Sequence, residues 1–182
     1  EIVELKIITH STNEGYGKAV IDGIEAADGE YIATLDSDNQ FNIEELKNLL
    51  HRMVLGCDIV AGFRKRKKDK LLRVFANKVL NKIVWLLFKV KFNDINCSFR
   101  LYRKRVFDNL GMEARSFILP TEILLKAKTK GYIITEVEVS HRDRKKGKSS
   151  IKLARDSIRT LLFLRYLKKK IRLYNKKIIT EL

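Results

Sequence analysis

The chain is poor in the residues that staple, interrupt or anchor a fold. It has two cysteines among 182 residues, Cys57 and Cys97, and they form no C-x-x-C pair. That excludes a common zinc framework and argues against a disulfide-stapled secreted domain, so a cytoplasm-facing protein is expected. One proline, Pro120, leaves no Pro-rich linker, and no internal repeat is visible. No apolar run approaches the roughly 18–20 residues needed to cross a bilayer. The best stretches, residues 83–88 and 161–164, are far too short. Acidic residues are in deficit, with 22 Asp and Glu against 38 Lys and Arg, a formal charge of +16. Such an excess implies an anionic partner: nucleic acid, an acidic membrane face or a phosphorylated small molecule. The length suits one domain, and the 45% hydrophobic content suffices for a core.

What is present alternates. "IVELKIIT" (residues 2–9) is β-rich. Gly15 and Gly17 mark a loop, after which Ala19, Val20, Gly23, Ile24 and Ala27 fall at helical spacing up to Gly29. "EYIATLD" reads as a strand. Residues 43–55 read as a helix with Ile43, Leu46, Leu49, Leu50 and Met53 on one face and Asn42 as N-cap. "DIVAGFR" is another strand, "RKRKKDK" (64–70) a basic loop, and residues 71–87 a helix. "DINCSFRLYRKRVF" is a short strand or turn leading into more regular structure. Residues 118–130 form a helix, "YIITEVEVSH" a half-buried strand, and residues 151–174 a long basic helix. Strand and helix in alternation predict a parallel α/β sheet.

In "YIATLDSDNQF" (31–41), an apolar strand runs into Asp36, Asp38 and Gln40. Pleat alternation would turn all three to one side, just past the strand's C-terminal end, where open α/β sheets bind ligands. Paired carboxylates there suit Mg²⁺ or Mn²⁺ bridging phosphate oxygens. An EF-hand is excluded, because position six of the loop is Phe41 and position twelve is Lys47. A phosphatase with an Asp nucleophile would need a second acidic cluster, and none is obvious. That weakens the phosphatase reading, and beside it stand two others: turn and capping carboxylates, or the D-x-D of a nucleotide-sugar transferase.

The flanking segments resemble family-2 glycosyltransferases of the A-type fold. "NEGYGKAVIDGIEAADGEYIATLDSDNQF" is similar to that family's N-x-G-x-G-x-A helix and D-x-D strand. "DIVAGFR", "RVFANKVLNKIV", "DINCSFRLYRKRVF" and "TEILLKAKTKGYIITEVEVSHRDRKKGKSS" follow in the family's order, spanning residues 10–150. In detail they look most like polyprenyl-phosphate (dolichol-phosphate type) sugar transferases. The resemblance implies a three-layer, Rossmann-like nucleotide-diphospho-sugar transferase sheet. It implies inverting transfer of a sugar from a nucleotide-diphosphate donor to a lipid phosphate at the cytoplasmic membrane face. Asp36, Asp38 and Gln40 would hold the Mg²⁺ or Mn²⁺ that steadies the leaving diphosphate, with Asp38 central to catalysis. Arg64, Arg73, Arg100 and Arg144 sit where the subgroup places phosphate-binding arginines. Asn77 belongs to the Arg-x-x-x-Asn helix, and Ser149 would add a hydroxyl. A lipid phosphate is already largely ionised at neutral pH and needs little or no base. A glycan hydroxyl acceptor would need one, with Asp94 and Glu122 as the candidates.

The chain also departs from the family. The final G-x-S-K reads Gly147-Lys148-Ser149-Ser150, and Cys97-Ser98 stands where Gly is frequent. The family's opening "V-I-P-x-Y-N-E" strand and its "D-D-G-S" are missing, and residues 1–9 resemble the third strand. The expectation is an N-terminally truncated catalytic domain (1–150), part of a longer enzyme, followed by a basic amphipathic helix or tail (151–182). Residues 142–177 hold 15 Lys and Arg against Asp143 and Asp156, interleaved with Leu153, Ile158, Leu161, Leu162, Phe163, Leu167 and Ile171. That pattern suits a peripheral helix on an anionic membrane surface. No nucleic-acid module accompanies the charge, so the alternative of a non-catalytic basic membrane- or nucleic-acid-binding module has less to support it.

Overall fold

The computed structural model describes residues 4–65, 71–108, 110–143 and 153–182. Helix α1 (Tyr16–Glu25) leads to strand β1 (Tyr31–Thr34). A 3-10 turn (Ile43–Glu45) opens α2 (Leu46–Val54), and β2 (Ile59–Phe63) follows. Then come α3 (Leu71–Phe88), β3 (Arg100–Arg103), α4 (Leu119–Thr129), β4 (Ile134–Glu138) and α5 (Leu153–Asn175). The strands form one sheet in the order β1-β3-β2-β4.

The expected α/β architecture is present, but the sheet is mixed rather than parallel. β2 and β4 are parallel, while β3 runs antiparallel to both β1 and β2. Arg100, the first residue of β3, lies opposite Thr34 and Ala61, so the chain enters β3 at the edge where β1 and β2 end. Periodicity finds a strand without revealing its direction. Direction depends on the path of the connecting loop, here residues 89–99.

Alternation within the strands divides the core into two. Ile59, Ala61 and Tyr102 join Ile32 on one face, under α1, α3, α4 and α5. Val60 and Leu101 face the other side, where Leu49 and Met53 of α2 pack with Phe41, Phe99 and Val139. These two cores give the three layers. Each fully buried Leu or Ile contributes about 1.5–3 kcal/mol relative to exposure.

Several local expectations are corrected. Residues 4–9 form no strand; Leu5 and Ile7 are each 77% exposed, and among the described residues no strand runs beside them. A β-rich segment stays unpaired without a neighbour to take its hydrogen bonds. Helix α1 ends at Glu25 with Ala26 as C-cap, before Gly29. Asn42 occupies the N-cap position of the 3-10 turn but makes no side-chain cap bond. On α2 only Leu49 and Met53 are fully inward; Ile43 and Leu50 are exposed, because the 3-10 turn shifts the helical phase.

Helix α4 is buried along Leu119–Ala127, and it carries polar anchors. Arg100 has no exposed surface. Its Nε donates to the Cys97 carbonyl at 2.7 Å, Nη2 to that of Ile95 at 2.6 Å, and Nη1 to that of Pro120 at the start of α4. One guanidinium thus ties the loop entering β3 to α4. Two turns along, Lys126 Nζ is also fully buried, 2.7 Å from Glu122 and 2.6 Å from Glu113. Glu113 also accepts from Lys170 at 2.6 Å and Tyr166 at 2.5 Å, both on α5. Burial pushes the Glu113 carboxyl up, but the hydrogen bonds from Lys126, Lys170 and Tyr166 outweigh it and hold it down at about 2.

Two outcomes follow. A carboxyl lowered from 4.5 to about 2 stabilises the fold fully above pH 4.5 and loses that contribution as pH falls toward 2. In urea melts across that window, wild type should therefore converge on Glu113→Gln as pH drops. Arg100→Met strands three buried carbonyls, each costing about 1–3 kcal/mol. A large fall in urea midpoint is expected, and Arg100→Lys should rescue little, because one ammonium cannot span the fork. An unchanged midpoint would overturn this structural role.

Candidate active site

Strands β1, β2 and β4 run in one direction, and their C-terminal ends share one edge with the segment entering β3. In open α/β sheets such an edge carries the ligand site. Asp36 to Gln40 leave β1, and Arg64 leaves β2. Residues 93–99 lead into β3, and residues 139–142 leave β4. Backbone bonds tie these exits together: Val139 N donates to Phe63 O at 3.0 Å and Arg142 N to Gln40 O at 2.8 Å.

β1 ends at Thr34, before the acidic residues, and Asn39 takes a left-handed φ of 61°. A turn therefore places the acidic residues, rather than a continued pleat. The inward–outward alternation nevertheless persists: Asp36 and Asp38 are half-buried and Gln40 is buried, while Leu35, Ser37 and Asn39 are exposed. Asp38 Oδ1 accepts the Gln40 amide N–H at 3.1 Å. Gln40 Nε2 donates to the Arg142 carbonyl at 3.1 Å, linking this turn to the exit of β4. Asp36 Oδ2 accepts the Ser98 hydroxyl at 2.7 Å, and Ser98 O accepts from Thr34 Oγ1 at 2.7 Å. Burial and, after it, the nearby Asp36 charge push the Tyr16 phenol upward.

Among the described residues no group of three or more His, Cys, Asp or Glu is arranged to hold a metal. The donor set is two carboxylates on a half-exposed turn. That fits Mg²⁺ or Mn²⁺, which take one or two carboxylates and complete their shells with water and substrate phosphate. It does not fit zinc, which favours a thiolate and imidazole cage. Cys97 supplies no thiolate, because burial pushes its thiol up to about 11.

The second cluster centres on Asp94, which is buried. Arg64 grips it with Nε at 2.7 Å from Oδ2 and Nη2 at 3.2 Å from Oδ1. Asn77 Nδ2 on α3 adds a third donor at 2.8 Å. One turn on, Asn81 caps the same segment through Asn93 O and Ile95 N. The Glu136 carboxylate on β4 accepts the Asn93 and Asp94 amides.

The structure thus gathers Asp36, Asp38, Gln40, Arg64, Asn77 and Asp94 at one sheet edge. Arg100 lies elsewhere in character: its donors are spent on backbone carbonyls, so the expected phosphate contact is replaced by a place inside the fold. Glu122 is likewise interior. It accepts the Glu113 and Ala114 amides at 2.8–3.2 Å and pairs with Lys126. Arg144 and Ser149 lie outside the described residues; Arg73 lies on α3, with its side chain outside them. Asn81, Ser98 and Glu136 were missed from sequence. Asn81 had a readable signal, since it stands four residues after Asn77 on one helical face. Ser98 and Glu136 had none, because their partners are 62 and about 42 residues away.

Comparison with known proteins agrees with this arrangement. Residues 2–111 match the family described as Glycosyl transferase family 2. An undecaprenyl-phosphate 4-deoxy-4-formamido-L-arabinose transferase of Aeromonas hydrophila subsp. hydrophila is 33% identical over 147 residues, 79% of this chain and 44% of that protein. Its Shewanella sediminis namesake is 34% identical over 140 residues, 75% of this chain and 41% of that protein. The chain therefore spans less than half the length of these relatives. Among solved structures, glucosyl-3-phosphoglycerate synthase from Mycobacterium tuberculosis, in complex with Mn²⁺, uridine-diphosphate-glucose and phosphoglyceric acid, superposes with a TM-score of 0.63. Identity is 15%, with coverage of 85% of this chain and 55% of that one. Its complex with Mn²⁺, uridine diphosphate and phosphoglyceric acid gives 0.66, again at 15% identity, covering 85% and 54%. The fold is the α/β A-type fold of glycosyltransferases with a mixed sheet, and the chain belongs to glycosyl transferase family 2.

Proposed function

We propose that the chain is part of an inverting, metal-dependent transferase. It would move a sugar from a nucleotide-diphosphate sugar to a polyprenyl phosphate at the cytoplasmic membrane face. Residues 1–150 are read as a partial catalytic domain and 151–182 as its basic helical tail. The observation that carries this reading is the pair Asp36 and Asp38 at the C-terminal sheet edge, beside Arg64, in a family-2 chain.

Asp36, Asp38 and Gln40 would hold Mg²⁺ or Mn²⁺, as the Mn²⁺ complexes of the structural relative support. When bound, the ion supplies positive charge to the leaving diphosphate. Arg64, kept in place by Asp94, which Asn77 holds in turn, offers a planar cation to phosphate oxygens. Arg73, Arg144 and Ser149 complete the proposed phosphate contacts.

The choice of acceptor rests on the two carboxylates once available as bases. Asp94 is held by Arg64 and Asn77, and Glu122 by two amides and Lys126. An engaged carboxylate abstracts a hydroxyl proton poorly, whereas a lipid phosphate needs no base. That favours the lipid phosphate over a glycan hydroxyl. The acceptor named in the relatives is undecaprenyl phosphate.

Access to a lipid acceptor is supported by the outer surface. No helix among the described residues is long and apolar enough to cross a membrane. Leu71, Leu72 and Phe75 on α3 and Ile158 and Leu162 on α5 are nonetheless exposed, among Arg155, Arg159 and Arg165. Leu164, Leu167 and Ile171 turn inward and fix α5 to the core. An apolar stripe flanked by arginines suits an anionic lipid face. No nucleic-acid partner is part of this reading.

Asp38→Ala should abolish Mn²⁺-dependent donor turnover while leaving vesicle binding intact; retained turnover would remove the metal assignment. Binding to vesicles containing anionic lipid should weaken as salt rises. Equal binding to neutral vesicles, or indifference to salt, would sink the membrane reading.

A further inference from the structure

We infer that Glu136 is a positioning residue for Arg64, acting through the Asn93–Asp94 segment that it holds. This rests on the phosphate-binding reading of Arg64 above and deepens it.

Arg64 leaves the end of β2 and lies side-on to the Asp94 carboxylate, with Nε 2.7 Å from Oδ2 and Nη2 3.2 Å from Oδ1. In such a two-point pair the guanidinium plane follows the carboxylate plane. Asp94 is the more deeply buried member, with its side chain 1% exposed against 14% for Arg64. Whatever turns Asp94 therefore turns the face that Arg64 shows to a phosphate.

Asp94 belongs to no helix or strand, yet every backbone polar group of residues 93–95 is met. Glu136 accepts the Asn93 amide N–H at 2.9 Å and that of Asp94 at 3.3 Å. Asn81 donates to the Asn93 carbonyl at 3.0 Å and accepts the Ile95 N–H at 3.2 Å. The Asp94 carbonyl accepts the Cys97 N–H at 3.2 Å, and the Ile95 carbonyl accepts from Arg100 Nη2 at 2.6 Å. The Asn93 side-chain amide also donates to Glu136, at 2.9 Å. Glu136 thus answers several donors from one short segment, which suits a carboxylate with two acceptor oxygens better than an amide with one.

Strand register explains why position 136 does this. β2 and β4 pair in parallel, with Ala61 opposite Glu136 and Phe63 opposite Glu138. Val139 N bonds Phe63 O at 3.0 Å, immediately before Arg64. Glu136 fixes the Asp94 backbone from one strand of this pair, and Arg64 grips the Asp94 carboxylate from the end of the other. A paired sheet, rather than a loop, then sets the spacing between clamp and cation, and sites built on strands are held more tightly than sites on loops.

The test is a double-mutant cycle on the full chain. It is read as affinity for inorganic pyrophosphate at constant ionic strength without metal, with urea midpoints measured alongside. Arg64→Gln, which leaves Asp94 a neutral donor, should weaken pyrophosphate binding about tenfold, the worth of one charge-assisted hydrogen bond. Glu136→Ala should weaken it about threefold and add nothing further in the Arg64→Gln chain. Glu136→Gln, with one acceptor oxygen left, should fall between wild type and Glu136→Ala. A purely structural Glu136 would lower the urea midpoint and leave the affinity of the folded chain unchanged. That result, or an equal loss with and without Arg64, would overturn the inference. Should Glu136→Ala not fold, Glu136→Gln and Asn81→Ala take its place in the cycle, with the same dependence on Arg64 expected. Wild-type affinity in Arg64→Gln would instead overturn the phosphate reading of Arg64, and this inference with it.

Discussion

The Arg100 guanidinium is the contact on which the site edge depends. Its fork holds the carbonyls of Ile95 and Cys97 on one side and that of Pro120 on the other. Those carbonyls belong to a loop with little regular structure, and such a loop has no ladder of its own to satisfy its polar groups. Fixing it places Asp94 against Arg64 and Asn77, and Ser98 against Asp36. A buried cation without a carboxylate in contact needs every donor met, and backbone carbonyls supply that here. Methionine or leucine would fill the volume without holding the loop.

Helix α4 extends the same logic to a second loop. Near its start, Pro120 receives Arg100; one turn later, Glu122 and Lys126 bind residues 111–114. That second loop runs on to Phe117, which supports Tyr16. Both loops share this buried anchor, and the first reaches Asp36 through Ser98. Glu113 adds α5 to the assembly through Tyr166 and Lys170, so the basic helix is joined to this layer by a hydrogen bond and an ion pair as well as by Leu164 and Leu167. Unlike Arg100, the charges of buried Glu122 and Lys126 and half-buried Glu113 form a complementary group.

The electrostatics divide between interior and exterior. Asp36 and Asp38 form a small acidic feature in a chain of charge +16. Such a background favours approach of polyanionic ligands. Outside, the arginines of α5 remain solvated beside exposed Ile158 and Leu162. Two consequences of one positive excess are thus separated in space.

Much of this was legible in the sequence. Among the described residues, period-two and period-3.6 patterns located the strands and helices from residue 16 onward to within a few residues, except β3, whose segment reads only as a short strand or turn, and ordered motifs identified the family. The acidic turn was recognisable because three oxygen-bearing residues follow an apolar strand. Those signals are local, and local spacing determines them. Tertiary structure alone decided the direction of β3, the unpaired state of residues 4–9, the interior placement of Arg100 and Glu122, and the approach of Ser98 to Asp36. Each of these depends on what lies across the fold: a loop path, a missing neighbour strand, or a partner up to 62 residues away. An arginine that binds phosphate and one that binds three carbonyls are the same residue in a sequence. They differ only in what their five donors meet after the chain has folded.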